Sequence, residues 1–202
     1  GASASGTSTT DNAGVSYSPG AQASGTSNYF RVAAVDTAGN VGAWTTAVLW
    51  QFDSTVPNTP TGVTGAATWQ NASSTPTFGW TAPTDMPAGG SGVNHYHVYW
   101  GTLSTGTSTT DNAGVSYSPG AQASGTSNYF RVAAVDTAGN VGAWTTAVGW
   151  QYDNTAPNTP TGVTGAATWQ NASSTPTFGW TAPTDMPAGG SGVNHYHVYW
   201  GT

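Results

Sequence analysis

The chain has 202 residues, of which only 5% are charged, and its formal net charge is −6. It contains no Lys and no Glu, and its two basic residues are Arg31 and Arg131. Nucleic acid and anionic membrane surfaces are therefore poor partners for it. The absence of Cys excludes disulfides and thiolate chemistry. Ten Trp, nine Tyr and five Phe predict a packed core rather than a disordered chain. No apolar run approaches the roughly 18 residues of a membrane span.

An internal repeat dominates the sequence. Residues 6–48 recur as residues 106–148, and residues 57–102 recur as residues 157–202, so the offset is 106 − 6 = 100 residues. A period of this length is too long for a solenoid unit and matches one independently folding domain. The sequence is therefore predicted to be a tandem array of domains.

Three segments of one repeat alternate apolar and polar residues with a period of two. In chain order they read TPTFGWTAP, VNHYHVYW and NYFRVAAVD, and the second contains a slip near its start. The stretches between them, such as TTDNAG, SPGAQASG and DTAGN, are rich in turn residues. Half-buried strands at roughly 10-residue spacing, without a helical period, predict an antiparallel sandwich. The predicted inward positions are Phe78, Trp80, Val93, Tyr96, Val98, Trp100, Phe130, Val132 and Ala134.

Three tryptophans lie outside this pattern or at its edge. They are Trp69, Trp144 and Trp150. Several exposed Trp side chains would be a liability in an isolated domain, so burial between domains is one expectation. A Trp-rich but ordinary interior is the alternative.

The same segments resemble a known family. Trp80 followed by TAPTD, a Gly-rich turn, GVNHYHVYW, and the later YFRVAAVDTAGNVGAW resemble strands B, C, F and G of a bacterial secreted fibronectin type III domain. The resemblance covers one whole repeat. It implies an all-β fold of tandem fibronectin type III-like, or immunoglobulin-like, antiparallel β-sandwich repeats.

The register of that resemblance divides the chain into three parts. Residues 1–54 are predicted to be the C-terminal half of a preceding repeat, with strands C′, E, F and G. Residues 55–154 form the complete domain, and residues 155–202 are the N-terminal half, strands A, B and C, of a following repeat. Half-sandwiches expose apolar faces and strand edges. Either the sequence is a window on a longer array, or the C-terminal half of one molecule completes the N-terminal half of the next.

Four Asp residues of one repeat are predicted to lie at one pole of the sandwich. They are Asp53, Asp85, Asp111 and Asp136, each at a strand end or in a turn. Hard oxygen ligands gathered at an interdomain joint could hold Ca²⁺ and stiffen the array. Asx turns, in which Asp bonds its own backbone, are the more ordinary explanation of the same sequences.

A second candidate site is a polar stripe on strand C and its neighbour. His95, His97 and Tyr99 share one face of strand C, and Tyr129 and Arg131 lie on the same face of strand F. Such a stripe could bind a glycan or a neighbouring filament, or it could be a cross-strand ladder that only stabilises the sheet. The histidine pair alone is an incomplete metal site, because the sequence shows no third ligand.

Catalysis has little support in the sequence. There is no Cys, Lys or Glu, and no Ser lies in a nucleophile elbow. The sequence instead predicts a non-enzymatic repeat of an extracellular filament or a cell-surface adhesin stalk in a prokaryote. Its predicted partners are neighbouring repeats or copies of itself, joined head to tail, and glycans are a further candidate partner. A glycan-binding module accessory to a secreted hydrolase is the alternative from another functional class.

Overall fold

A computed structural model describes residues 1–65, 68–85, 90–165, 169–171, 175–185 and 189–201. Every regular secondary-structure element in these residues is a β-strand, which confirms the predicted all-β fold. No helix in this part of the chain is long and apolar enough to cross a membrane. The strands are β1 (Thr26–Phe30), β2 (Val48–Phe52), β3 (Thr61–Thr64), β4 (Trp69–Gln70), β5 (Phe78–Thr81), β6 (Val93–Gly101), β7 (Thr110–Asn112), β8 (Ser116–Tyr117), β9 (Thr126–Asp136), β10 (Val148–Tyr152), β11 (Thr161–Thr164) and β12 (Gly179–Thr181).

Strands β3 to β10 form two sheets. One sheet has the order β3-β5-β8, and the other has the order β4-β10-β9-β6-β7. The pairs are antiparallel except for the short parallel pair of β4 with β10. This is the antiparallel sandwich that the alternating pattern predicts.

The core lies between these two sheets. Phe78 of β5 stacks on Phe130 of β9 with ring centroids 4.4 Å apart, and Trp80 meets Tyr96 edge to face at 5.2 Å. The predicted inward positions are confirmed, because all are buried except Val93 and Trp100, which are half-buried and pack against the cluster. The predicted slip is a register shift of β6 between Val93 and His95. The buried cluster is Phe78, Trp80, Tyr96, Val98, Phe130, Val132, Ala134, Trp150 and Tyr152.

Segments 1–54 and 155–201 contain smaller sheets. Strands β1 and β2 form one two-stranded sheet, and β11 and β12 form another. Their apolar faces are open: Phe30 is 44% exposed, whereas its copy Phe130 is fully buried. The complete core is therefore built from residues 78 to 152, with half of the same residue pattern on each flanking segment.

Candidate functional site

Three of the four predicted Asp residues meet at the joint between segment 1–54 and the complete sandwich. Asp53 follows β2, Asp85 follows β5, and Asp136 ends β9. One carboxylate oxygen from each lies within 4.8 Å of the others. The amide of Asn140 also donates to the backbone carbonyl of Asp53 at 3.1 Å, which ties the turn after β9 to the end of β2.

Hydrogen bonds hold the carboxylate of Asp53 in this joint. Its Oδ2 accepts the backbone N–H of Ser91 at 2.6 Å, and its Oδ1 accepts the Ser24 hydroxyl at 2.8 Å and the N–H of Thr55 at 3.0 Å. These bonds, with that from Ser91 the strongest, lower the pKa of Asp53 to about 2.

The next copy repeats this arrangement. Asp153 accepts the N–H of Ser191 at 2.7 Å, the Ser124 hydroxyl at 2.8 Å and the N–H of Thr155 at 3.0 Å. The bond from Ser191 is again the largest of the causes that lower the pKa of Asp153 to about 2. In both copies one ionised Asp therefore connects the end of a strand, β2 or β10, to a serine of the following repeat, Ser91 or Ser191.

Asp136 and Asp85 differ in how well their oxygens are satisfied. Asp136 forms an Asx-type turn, in which it accepts the N–H of Asn140 at 2.8 Å and the side-chain amide of Asn140 at 2.8 Å. Asp85 Oδ2 accepts the N–H of Gly92 at 2.7 Å, but its Oδ1 is buried without a hydrogen-bond partner. The copy Asp185 shows the same buried Oδ1. Hydrogen bonds within the joint account for the carboxylate oxygens of Asp53 and Asp136. They leave the buried Oδ1 atoms of Asp85 and Asp185 without a partner.

Asp111 does not join this cluster, so the prediction of four Asp residues at one pole is wrong for it. Strand β7 pairs with β6 in a register that sets Asp111 opposite His97, on the face of the sheet. Its Oδ1 lies 3.3 Å from Nε2 of His95 and 3.3 Å from Nε2 of His97. The structure thus supplies the third neighbour that the histidine pair lacks in the sequence.

The rest of the predicted stripe lies on that outer face. Strand β6 pairs with β9 so that Tyr99 faces Arg131 and Gly101 faces Tyr129. The hydroxyl of Tyr99 accepts the N–H of Leu103 at 3.1 Å, and its ring covers the turn after β6. The ring of Tyr99 is therefore part of the turn rather than a free platform.

Arg131 is also bound within the repeat. Its Nε–H donates to the carbonyl of Thr145 at 2.9 Å, and its Nη1 donates to the carbonyl of Gly106 at 3.0 Å. The guanidinium carbon lies 5.7 Å from the centroid of the Trp144 ring. Arg131 thus connects the turn after β6 to the segment before β10, which accounts for one of the three tryptophans outside the alternating pattern.

Comparisons with known proteins give enzymes of bacterial origin. No protein family profile matches the chain. Exoglucanase B of Cellulomonas fimi is 34% identical over 183 residues, which are 85% of this chain and 16% of that protein. Exoglucanase A of Cellulomonas fimi is 40% identical over 185 residues, which are 86% of this chain and 20% of that protein. The chain therefore matches only a small part of each exoglucanase.

The chain is also similar to a solved structure of an Fn3-like protein. The crystal structure of an Fn3-like protein from Clostridium thermocellum is 28% identical, and the match covers 48% of this chain and 94% of that chain with a TM-score of 0.37. The match spans about one repeat of this chain and nearly the whole of that protein.

Proposed function

We propose that the chain is a non-catalytic structural module of the bacterial fibronectin type III-like kind that its repeats resemble. Its repeats build an extracellular filament or the stalk of a cell-surface adhesin. They join head to tail, and each half-repeat is completed by a neighbouring copy of the missing half.

One observation carries this proposal: the two flanking segments expose opposite halves of one core. Segment 1–54 presents Phe30 and Trp50, and segment 155–201 presents Trp180 and Val198, all exposed. Their copies in the complete repeat are buried against one another. The complete sandwich supports the pairing of the two exposed faces, because its own halves have the same residues at these core positions.

The energetics favour such pairing. Each large apolar side chain that leaves water contributes roughly 1.5–3 kcal/mol. Strand pairing adds main-chain hydrogen bonds at the exposed edges. The contact joins two different surfaces, so it propagates as a linear array rather than closing into a symmetric dimer. The completing half comes either from an adjoining repeat of one polypeptide or from a second molecule.

Sedimentation and electron microscopy of the 202-residue chain at rising concentration test this proposal. We expect head-to-tail threads with a regular domain spacing, and loss of the threads in Val198→Asp. Val115→Asp is the matched control, because Val115 is also an exposed valine, at 47% against 75% for Val198, and belongs to the complete repeat. Monomers at every concentration, or equal thread formation in both variants, would contradict the proposal.

A glycan-binding module accessory to a secreted hydrolase is the second candidate. The similarity to two exoglucanases supports it, because their name is that of enzymes that act on glucan. Retention on insoluble glucan is the test, with Tyr129→Ala compared with Tyr29→Ala, its copy in segment 1–54. Selective loss of retention in Tyr129→Ala would favour the glycan-binding module over the stalk.

The same relatives support a location outside a bacterial cell. A polymeric glucan is degraded where the polymer lies, so a repeat shared with exoglucanases suits an extracellular or cell-surface protein. Calcium at the joint of Asp53, Asp85 and Asp136 stays a prediction, favoured by the buried, unpaired Oδ1 of Asp85. Threads that soften when a chelator is added would support it, and unchanged threads would count against it.

A further inference from the structure

Two histidines and one aspartate converge on the outer face of the complete sandwich. His95 and His97 are two residues apart on β6, so their side chains lie on the same face, and their ring centroids are 5.5 Å apart. Strand β7 brings Asp111 beside them, with its Oδ1 3.3 Å from both Nε2 atoms. One ligand atom from each of the three side chains lies within 4.8 Å of the others.

These distances match those between ligand atoms of a tetrahedral metal site. Zinc lies about 2.0–2.1 Å from imidazole nitrogen and about 2.0–2.2 Å from carboxylate oxygen. Two such ligands at a tetrahedral angle are about 3.3 Å apart, which follows from those bond lengths. The observed nitrogen-to-oxygen separations are 3.3 Å. Two of the three ligand pairs therefore already have the spacing of a tetrahedral site, and the two histidine atoms lie within 4.8 Å of each other.

The hydrogen bond of His95 points to the same conclusion. Its Nδ1 lies 3.1 Å from Oδ1 of Asn94. This contact orients the ring of His95 with its Nε2 toward Asp111. A hydrogen bond from the other ring nitrogen is what orients metal-binding histidines.

The surroundings leave room for exchange with solvent. The side chains of His95 and His97 are 27% and 16% exposed, whereas that of Asp111 is 71% exposed. Ala133 and Val135 lie opposite the two histidines on β9 and are buried. The site thus has buried apolar neighbours on β9 and is open to solvent on the side of Asp111.

We propose that His95, His97 and Asp111 bind one divalent transition-metal ion of the class that imidazole prefers, such as zinc. Imidazole nitrogen favours zinc, copper and nickel over calcium and magnesium, which select all-oxygen sites. The site is independent of head-to-tail assembly, because all three ligands belong to one complete sandwich. It is also separate from the Asp cluster at the joint.

The flanking segments hold the same ligands in separate pieces. Asp11 is the copy of Asp111 in segment 1–54, and His195 and His197 are the copies of the histidines in segment 155–201. The second histidine pair has nearly the same arrangement, with centroids 5.2 Å apart. Joining of two molecules would bring these pieces together as a second site. This extension rests on the proposed function, whereas the site in the complete sandwich does not.

Zinc titration of the tag-free, metal-free 202-residue chain tests the proposal by calorimetry. In dilute Val198→Asp protein, which does not assemble, we expect one zinc per chain. Asp111→Asn and His97→Gln should weaken zinc binding more than about 100-fold, since a direct ligand matters at least as much as its outer-shell partner. The matched controls Asp11→Asn and His197→Gln change the copies in the flanking segments and should keep the first site.

Histidine-ring NMR of the unmutated chain gives a readout that does not depend on the folding of a variant. Zinc should shift the ring nitrogens of His95 and His97 at one equivalent, before those of His195 and His197. The proposal is overturned if no zinc binds, or if Asp111→Asn binds it as tightly as the parent chain. Assembled threads should bind a second zinc per chain. A single zinc per chain in threads would rule out only the second site formed by assembly. Failure to assemble would leave the prediction for the first site unaffected.

Discussion

The complete repeat and the flanking segments contain the same sequences in different structures. Residues 93–101 form the nine-residue strand β6, whereas the described copy at residues 193–201 contains no strand. Strand β9 covers 11 residues, but its copy β1 covers only five. The difference lies in the neighbouring strand. Strands β6 and β9 pair along most of their length. In the described structure, β1 has no neighbour like β6, and residues 193–201 have no neighbour like β9. Local sequence thus sets which residues alternate, and a nonlocal partner decides whether the strand forms.

Burial shows the same dependence. Val98 is 2% exposed, and its copy Val198 is 75% exposed, although the residues around them are identical. A period-two pattern identifies the face that is to be covered, but the covering surface comes from residues far along the chain. The flanking segments therefore contain exposed copies of core residues such as Val98 and Phe130, which serve as internal controls for them.

Truncation of the central phenylalanine should show the largest contrast between the two regions. Phe130→Ala removes a fully buried ring that stacks on Phe78 and should lower the free energy of unfolding of the complete repeat by about 3–5 kcal/mol. Phe30→Ala changes the exposed copy and should leave that free energy nearly unchanged. Urea unfolding of dilute protein, followed by Trp fluorescence, measures both. Equal losses in the two variants would show that segment 1–54 is packed as tightly as the complete repeat.

A glycine in the turn after β6 should give an intermediate effect. A Cβ on Gly106 would lie 2.0 Å from the ring of Tyr99, so Gly106→Ala must displace that ring and its bond to Leu103. We expect a loss of about 1–3 kcal/mol, typical of overpacking. Gly6→Ala is the matched control, because its added Cβ meets only Ser3, with the carbonyl oxygen at 3.3 Å and the Cβ at 3.9 Å. A thermal melt that is unchanged in Gly106→Ala would contradict the tight contact between Tyr99 and the turn.

Much of the fold was predictable because large apolar residues alternate over several positions. The pattern leaves only one possible inward face for each strand, as Phe78 and Trp80 show for β5. Phe130 and Val132 do the same for β9. The three alternating segments leave Trp150 out, yet it is 3% exposed in the core, which is the ordinary-interior alternative for this residue. The alternation of Val148, Trp150 and Tyr152 contains the signal that could have placed it.

The candidate sites were less predictable, because they depend on strand register. Strand β7 consists of the polar residues TDN, which have no apolar face to fix its pairing with β6. Asp111 was consequently expected at the pole with Asp53, whereas the register sets it opposite His97. A hairpin of β6 and β7 drawn in the correct register would have paired His97 with Asp111. The sequence between the two strands has no residue pattern that fixes the length of the turn, so that register could not be chosen.

Acid should produce the smallest effect, at the joint. The pKa of Asp53 is lowered from 3.8 to about 2 by hydrogen bonds to its ionised form. A carboxylate with a lowered pKa stabilises the folded joint fully above about pH 4, and this contribution is lost as the pH falls through about 2. The amide resonance of Ser91, followed by NMR, should therefore shift between pH 4 and pH 2, and Asp53→Asn should abolish the shift. Ser191 should shift in parallel through Asp153, because the same bond recurs there. If Ser191 shifted while Ser91 did not, the two joints would differ despite their identical donors, and the equivalence of the repeats at their ends would be wrong.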